Sequence, residues 1–338
     1  MQYFLSIAVS LTAFALSALI GIVLIPYLKK IHFGQTILDI GPNWHKSKQG
    51  TPIMGGFMFI IASVVSVALG YLVYRFRFAD VLSENINGGA LKLLACVLYS
   101  LLCSAIGFAD DYIKAVKKQN LGLNAKQKMF FQILFGAAFL AMLYALGDTQ
   151  TYIDFYFFRL ELGIVYYPLI LLFMVFMTNA VNLTDGIDGL CSTVTVVSML
   201  GLALLCSLLD FDGSNELILY AFAIAGGCIG FLIWNLHPAK CFMGDTGSMY
   251  LGGAFTAIGI ATHCHLLMVL VGVVYFCEAM SVVLQVISYK TTKKRIFKMS
   301  PIHHHFELCN FSEYKIVITF SITGVIFAIL AIFMQSIH

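Results

Sequence analysis

Carboxylates set at the edge of a long apolar run carry a desolvation cost that favours a metal ion, a cation or a proton as partner, and this sequence sets them there three times. Asp110 and Asp111 follow the run Leu93 to Ala109, Asp185 and Asp188 follow Tyr167 to Val181, and Asp245 precedes Met249 to Ala261. Adjacent residues of a helix point about 100° apart, so Asp110 and Asp111 are expected to divide their roles. Lys114 stands one turn further on, where it can pair with a carboxylate or hold a phosphate.

The other candidates are of matching chemistry. Asn179, Asn182 and Asp185 recur every three residues, which on a helix end lines two amides and a carboxylate along one edge. Gly186 and Gly189 then argue for a loop that exposes backbone to a ligand. The segment lacks the ligand spacing and closing Glu of a calcium-binding loop. Asp245, among Gly244, Thr246, Gly247 and Ser248, suits a metal ligand with room for substrate oxygens; as the N-cap of the following run it would need no metal. Phe242 can stack on a base. His303, His304 and His305 diverge on any regular helix, so they are read as phosphate contacts or proton carriers near neutral pH rather than as one metal site. Lys48 precedes a small-residue stretch, Thr51 to Gly56, which either cradles an anion or simply opens the next apolar run. Glu278 lies inside an apolar run, where a packing hydrogen bond is the simpler reading.

The elements that must position these groups are membrane helices. Of 338 residues, 60% are hydrophobic and 11% charged, too apolar for a soluble core. Ten runs approach the roughly 20 residues that a bilayer core of ~30 Å requires: Phe4 to Ile25, Met54 to Tyr74, Leu93 to Ala109, Met129 to Leu146, Tyr167 to Val181, Leu190 to Leu209, Leu217 to Leu236, Met249 to Ala261, Leu266 to Ile287 and Ile316 to Gln335. The fifth and eighth are short. The fold class expected is an all-α polytopic membrane protein, one helical unit over residues 1–338. Sixteen of the twenty Lys and Arg residues fall on the side of the odd-numbered loops, so that side is expected to be cytoplasmic and both termini outside. The acids named above other than Glu278, with the lysines and the histidines, share that side, a field that draws anionic substrates. The nine cysteines have no CxxC spacing and read as packing residues.

Taken together, these loops resemble the polyprenyl-phosphate N-acetylhexosamine-1-phosphate transferases over the whole chain. Asp110-Asp111, Asn179 to Leu190 and Phe242-Met243-Gly244-Asp245 look like motifs shared by that superfamily. Thr51 to Gly56 and Pro301 to Glu307 look like its muramoyl-pentapeptide branch, with Ile53 departing from the usual Thr or Ser. The resemblance implies ten transmembrane helices and a Mg2+-dependent reaction at the cytoplasmic face of a bacterial plasma membrane. In it undecaprenyl phosphate attacks UDP-N-acetylmuramoyl-pentapeptide to give lipid I and UMP, in peptidoglycan synthesis. It implies catalytic roles for Asp110, Asp111, Asp245 and His304, with Asp245 as the metal ligand. It implies substrate-binding roles for Lys48, Lys114, Asn179, Asn182, Asp185, Gly186, Asp188, Asn235, Phe242, Ser248, Gln285, His303 and His305. Direct attack is expected over a covalent phospho-sugar enzyme. A homodimer is compatible with the resemblance, and nucleic acid is not an expected partner. The rivals are a sister transferase using UDP-N-acetylglucosamine, against which the His-His-His-Phe-Glu ending argues, and an ion-coupled transporter, which would carry acids near mid-span rather than at one boundary.

Overall fold

The computed structural model describes residues 2–31, 50–77, 86–117, 121–155, 158–209 and 211–337. Lys48 therefore lies outside the described residues. Twelve helices account for nearly all of the rest, because in hydrocarbon each backbone N–H and C=O must find its partner within the segment. They are α1 (Gln2–Lys30), α2 (Phe57–Arg77), α3 (Ile86–Lys117), α4 (Ala125–Ala145), α5 (Tyr166–Thr184), α6 (Leu190–Leu209), α7 (Ser214–Asn235), α8 (Gly244–Ala261), α9 (His265–Val271), α10 (Val273–Thr292), α11 (Ile302–Glu307) and α12 (Glu313–Ser336). An antiparallel hairpin, β1 (Tyr152–Asp154) and β2 (Arg159–Glu161), pairs Ile153 with Leu160 between α4 and α5.

Among the described residues, nine helices are long and apolar enough to cross a membrane. The chain is an all-α polytopic membrane protein, and the eighth expected run differs from the others in kind. It forms α8, whose residues from Thr246 to Ala261 are all buried. A helix that neighbours screen from lipid has no need of a continuous apolar surface, and α8 instead carries small residues that let α2, α3 and α5 approach. The ninth expected run is two helices, α9 and α10, broken at Gly272, where a side chain would run into the ring of Phe255. α3 continues two turns beyond its apolar run, so Asp110, Asp111 and Lys114 sit on a helix and not in a loop.

The α3–α8 seam fixes the geometry of everything that follows. A Cβ on Gly107 would stand 2.1 Å from the backbone oxygen of Asp245, and one on Gly252 would stand 2.7 Å from that of Thr178 in α5. Backbone cannot swing aside as a flexible side chain can. Gly107→Ala should therefore separate α3 from α8 at a cost of about 1–3 kcal/mol. It would be seen as a lower unfolding midpoint of the detergent-solubilised protein, and an unchanged midpoint would refute so tight a seam.

Candidate active site

Asp110, Asp111 and Asp245 bring their carboxylate oxygens within 4.8 Å of one another, and the two neighbours on α3 do divide their partners. Asp111 faces the first turn of α8. Its Oδ1 accepts the backbone N–H of Asp245 at 3.1 Å, and its Oδ2 accepts the N–H and hydroxyl of Thr246 at 2.9 and 2.7 Å. These are N–H groups that a helix start leaves unpaired, so Asp111 does the capping that Asp245 was expected to offer as an alternative role. Gly244 makes the approach possible: its φ is +71°, and a Cβ there would meet Asp111 Oδ2 at 2.5 Å.

Asp110 turns to the lysines. Lys114 Nζ stands 2.5 Å from its Oδ2 and Lys128 Nζ 3.1 Å from its Oδ1, and the same two ammonium groups lie 3.3 and 2.7 Å from Asp245 Oδ2. The backbone N–H of Leu123 also donates to Asp110 Oδ1. That contact docks the turn before α4, whose start is set by a capping box in which Asn124 and Gln127 each accept the other's backbone N–H. Lys128, one turn into α4, is thereby aimed at both carboxylates. Sequence reasoning counted Lys128 only as an inner-side charge; the Asn124-Ala125-Lys126-Gln127 signature was the signal that could have placed it.

Desolvation raises the Asp245 carboxyl, but its hydrogen bonding with Asp110 and the charges of Lys114 and Lys128 outweigh that and hold it well below the usual carboxylate range. Asn182 completes this wall, donating to Asp245 Oδ1 at 3.1 Å and to Ser248 Oγ at 2.8 Å. Asn179, a turn earlier on α5, donates to Gln132 Oε1 of α4 and so braces the neighbouring helix.

From Asn182 the polar strip runs on to the histidines. A side chain at Gly186 would meet His303 Nε2 at 2.1 Å, so the loop and α11 touch there only because the position is glycine. His303 is fully buried and its Nδ1 lies 3.1 Å from Glu278 of α10, which gives that intramembrane acid its partner. His304 Nδ1 pairs with Glu307 at 2.6 Å, and His305 Nδ1 accepts the N–H of Lys298. The expected divergence holds for His305 alone: the His303 and His304 rings lie against each other, centroids 4.1 Å apart, though each pairs with a different carboxylate. Gln285 holds the backbone of Ile296 and Phe297, placing it under the basic loop rather than in contact with the carboxylates.

Asp188 and Asn235 are occupied in pinning two loops together. Asp188 accepts from His237 Nδ1 at 2.9 Å and from the N–H of Ala239, while its own N–H donates to Glu313. Asn235 accepts from Gly189 N–H and donates to the Cys241 carbonyl. Phe242, partly exposed, exchanges backbone bonds with Pro52 and Gly55. Asp185 caps α5 between Asn182 and Gly186. His237 and Glu313, which the sequence did not single out, are the second group of ligand-type side chains.

The carboxylates are suited to a hard cation. They are oxygen donors at close range, two ammonium groups against three carboxylates leave one formal negative charge, and Asp110 Oδ2 is buried without an aligned hydrogen bond. Asp111 spends both oxygens on α8, which leaves Asp245 and Asp110 as the donors available to a metal.

The model of glycosyl transferase family 4 matches residues 93–263, the stretch from α3 through α8 that holds all three carboxylates. The phospho-N-acetylmuramoyl-pentapeptide-transferase of Bacillus subtilis is 42% identical over 326 residues, 96% of each chain. Those of Bacillus velezensis and Shouchella clausii are 42% and 41% identical over 95% and 96% of each chain. The chain belongs to the phospho-N-acetylmuramoyl-pentapeptide-transferase family. It is a multi-pass bacterial membrane protein. The family relatives extend through the histidine motif on α11, beyond the segment that the broader family-4 model matches.

Proposed function

We propose that this chain transfers phospho-N-acetylmuramoyl-pentapeptide from UDP-N-acetylmuramoyl-pentapeptide to undecaprenyl phosphate, forming lipid I and UMP with Mg2+ as cofactor. The observation that carries the reading is the grouping of Asp110 and Asp245 with Lys114 and Lys128 at one end of the bundle, in a chain of this family. The excess of Lys and Arg on that side supports a cytoplasmic site with both termini outside.

The reaction joins two anions, so its barrier is lowered chiefly by alignment and charge neutralisation. A phosphate oxygen of the lipid forms a new bond to the β-phosphorus of the nucleotide, the bond from that phosphorus to the bridging oxygen breaks, and UMP departs with the electron pair. Asp245 and Asp110 would hold Mg2+, which supplies positive charge beside the pyrophosphate. Lys114 and Lys128, paired to those carboxylates at rest, are free to share their charge with arriving phosphates. Asp110 is placed to receive a proton from the lipid phosphate or to orient it. Asn182 and Ser248 offer polar contacts beside Asp245, while Asn179, Asp185, Gly186, Asp188, Asn235 and Phe242 frame the nucleotide side. His304, with Nδ1 held by Glu307, is assigned to phosphate contact and His305 to the surrounding substrate surface, while the buried His303, paired with Glu278, and Gln285, bonded to Ile296 and Phe297, support that surface from beneath; Lys48 keeps the substrate-binding role that the family resemblance implies.

The test is release of UMP by the purified protein with undecaprenyl phosphate and the muramoyl-pentapeptide nucleotide, with Mg2+ present or chelated. Turnover is expected only with both substrates and metal, and is expected to vanish with excess EDTA and return on adding Mg2+. UMP release from UDP-N-acetylglucosamine alone would transfer the assignment to the sister enzymes. Uptake of substrate by reconstituted vesicles without UMP would discard the transferase reading.

A further inference from the structure

α8 spans about 27 Å at 1.5 Å per residue, and the end away from the carboxylates opens on a cavity of about 470 Å³. Its lining includes Tyr152 and Asp154 of the hairpin, Thr262, and the two histidines His263 and His265 that bracket the α8–α9 connection. Nothing in the transferase reading uses these groups.

Both histidines have one ring nitrogen fixed and the other idle. His263 Nε2 lies 2.6 Å from Asp148 Oδ1, and His265 Nε2 lies 2.9 Å from the Tyr166 hydroxyl. Nδ1 of each ring is buried and has no hydrogen-bond partner. An ionised carboxylate only accepts, so His263 Nε2–H donates to Asp148, and in the neutral ring Nδ1 is then a bare lone pair. The Tyr166 hydroxyl can accept from His265 Nε2 as well, and in that tautomer the second ring also presents a bare Nδ1. The ring centroids are 5.8 Å apart at 74°, a separation that two imidazoles sharing an ion at nitrogen distances of about 2.0–2.1 Å can adopt. A histidine whose outer nitrogen is oriented by a carboxylate, with its other nitrogen presented unprotonated, is the arrangement of a metal ligand and its supporting partner. His263 also adopts a left-handed backbone, φ 55°, which few residues other than glycine do without a local constraint.

We propose that His263 and His265 form a binding site for a divalent transition-metal ion of the zinc or copper type, held through Nδ1 of each ring, with water in the cavity completing its coordination. The site ties the end of α8 to Asp148 after α4 and to Tyr166 of α5. It is separate from the carboxylate cluster in position, in donor type and in metal class, since imidazole nitrogen favours zinc and copper where oxygens favour magnesium.

The experiment titrates Zn2+ against a chromophoric chelator with the full chain in nanodiscs, with saturating Mg2+ to occupy the carboxylates. One site is expected. His263→Gln and His265→Gln should each weaken it by at least about tenfold, and Asp148→Asn by about 10–100-fold through loss of ring orientation. His237→Gln, in the other ligand-type cluster, should leave it unchanged. Cu2+ bound to the unaltered protein should show electron-paramagnetic hyperfine coupling to two imidazole nitrogens, a readout that needs no variant to fold. Zinc affinity equal in the unaltered protein and both histidine variants, loss of the site in His237→Gln alone, or copper without coupling to two nitrogens would each overturn the proposal.

Discussion

Asp245→Asn should lower the rate of UMP release about 10²–10³-fold, the ~2.7–4 kcal/mol seen when one preorganised group that stabilises developing charge is removed. Asp245 is the point where Lys114, Lys128 and Asn182 converge, and one of the two carboxylates proposed to hold the metal. Asparagine keeps the shape but removes the charge, so the fold should survive while the Mg2+ needed for half-maximal rate rises. Asp111→Asn is the informative contrast. Asp111 receives the first N–H groups of α8 and the Thr246 hydroxyl, so its replacement should appear as a lower unfolding midpoint, with turnover falling as the helix start loosens. Measuring Mg2+ dependence and thermal unfolding on both variants separates the two roles. Wild-type turnover by Asp245→Asn would remove Asp245 from the reaction.

That contrast also marks where the sequence stops being legible. The acids at Asp110, Asp111 and Asp245 stood out because each interrupts an apolar pattern at its edge, and such a cost is visible without coordinates. Their division of labour followed from helical geometry, but which carboxylate capped α8 did not, because capping depends on how α3 and α8 meet across a sequence separation of 134. α8 itself read as a weak membrane span because hydropathy measures contact with lipid, and α8 has almost none. Glu278 read as a packing acid and does pack, against His303, a partner 25 residues on that periodicity could not select. Gln285 shows the opposite limit: resemblance to a family marks it for substrate, while its amide is engaged with Ile296 and Phe297. Lys128 was hidden among inner-side charges because charge counting assigns a side of the membrane and not a direction.

Lys128→Ala should cost about 10²–10³-fold in kcat while tightening Mg2+, and the opposite signs make the test sharp. At rest the cluster holds three carboxylates and two ammonium groups, one formal negative charge, and Lys128 sits 3.1 Å from Asp110 and 2.7 Å from Asp245. Its removal leaves two negative charges around oxygen donors that no longer compete with an ammonium for the same lone pairs, so a divalent cation binds more tightly. The phosphates lose a neutralising charge at the same time, and because they are most in need of it as the bridging bond breaks, the loss falls on kcat more than on KM. Lys128→Arg should recover only part of the rate, since the planar guanidinium cannot occupy the position of a compact ammonium between Asp110 and Asp245. The apo variant should unfold earlier, having lost a partner for the buried Asp110, and added Mg2+ should restore more of its midpoint than it adds to the unaltered protein. An unchanged kcat would take Lys128 out of the chemistry, and a weaker Mg2+ requirement paired with full activity would leave it as a structural counter-ion alone. Loss of both kcat and Mg2+ affinity would instead mean that Lys128 builds the cation site rather than competing for it.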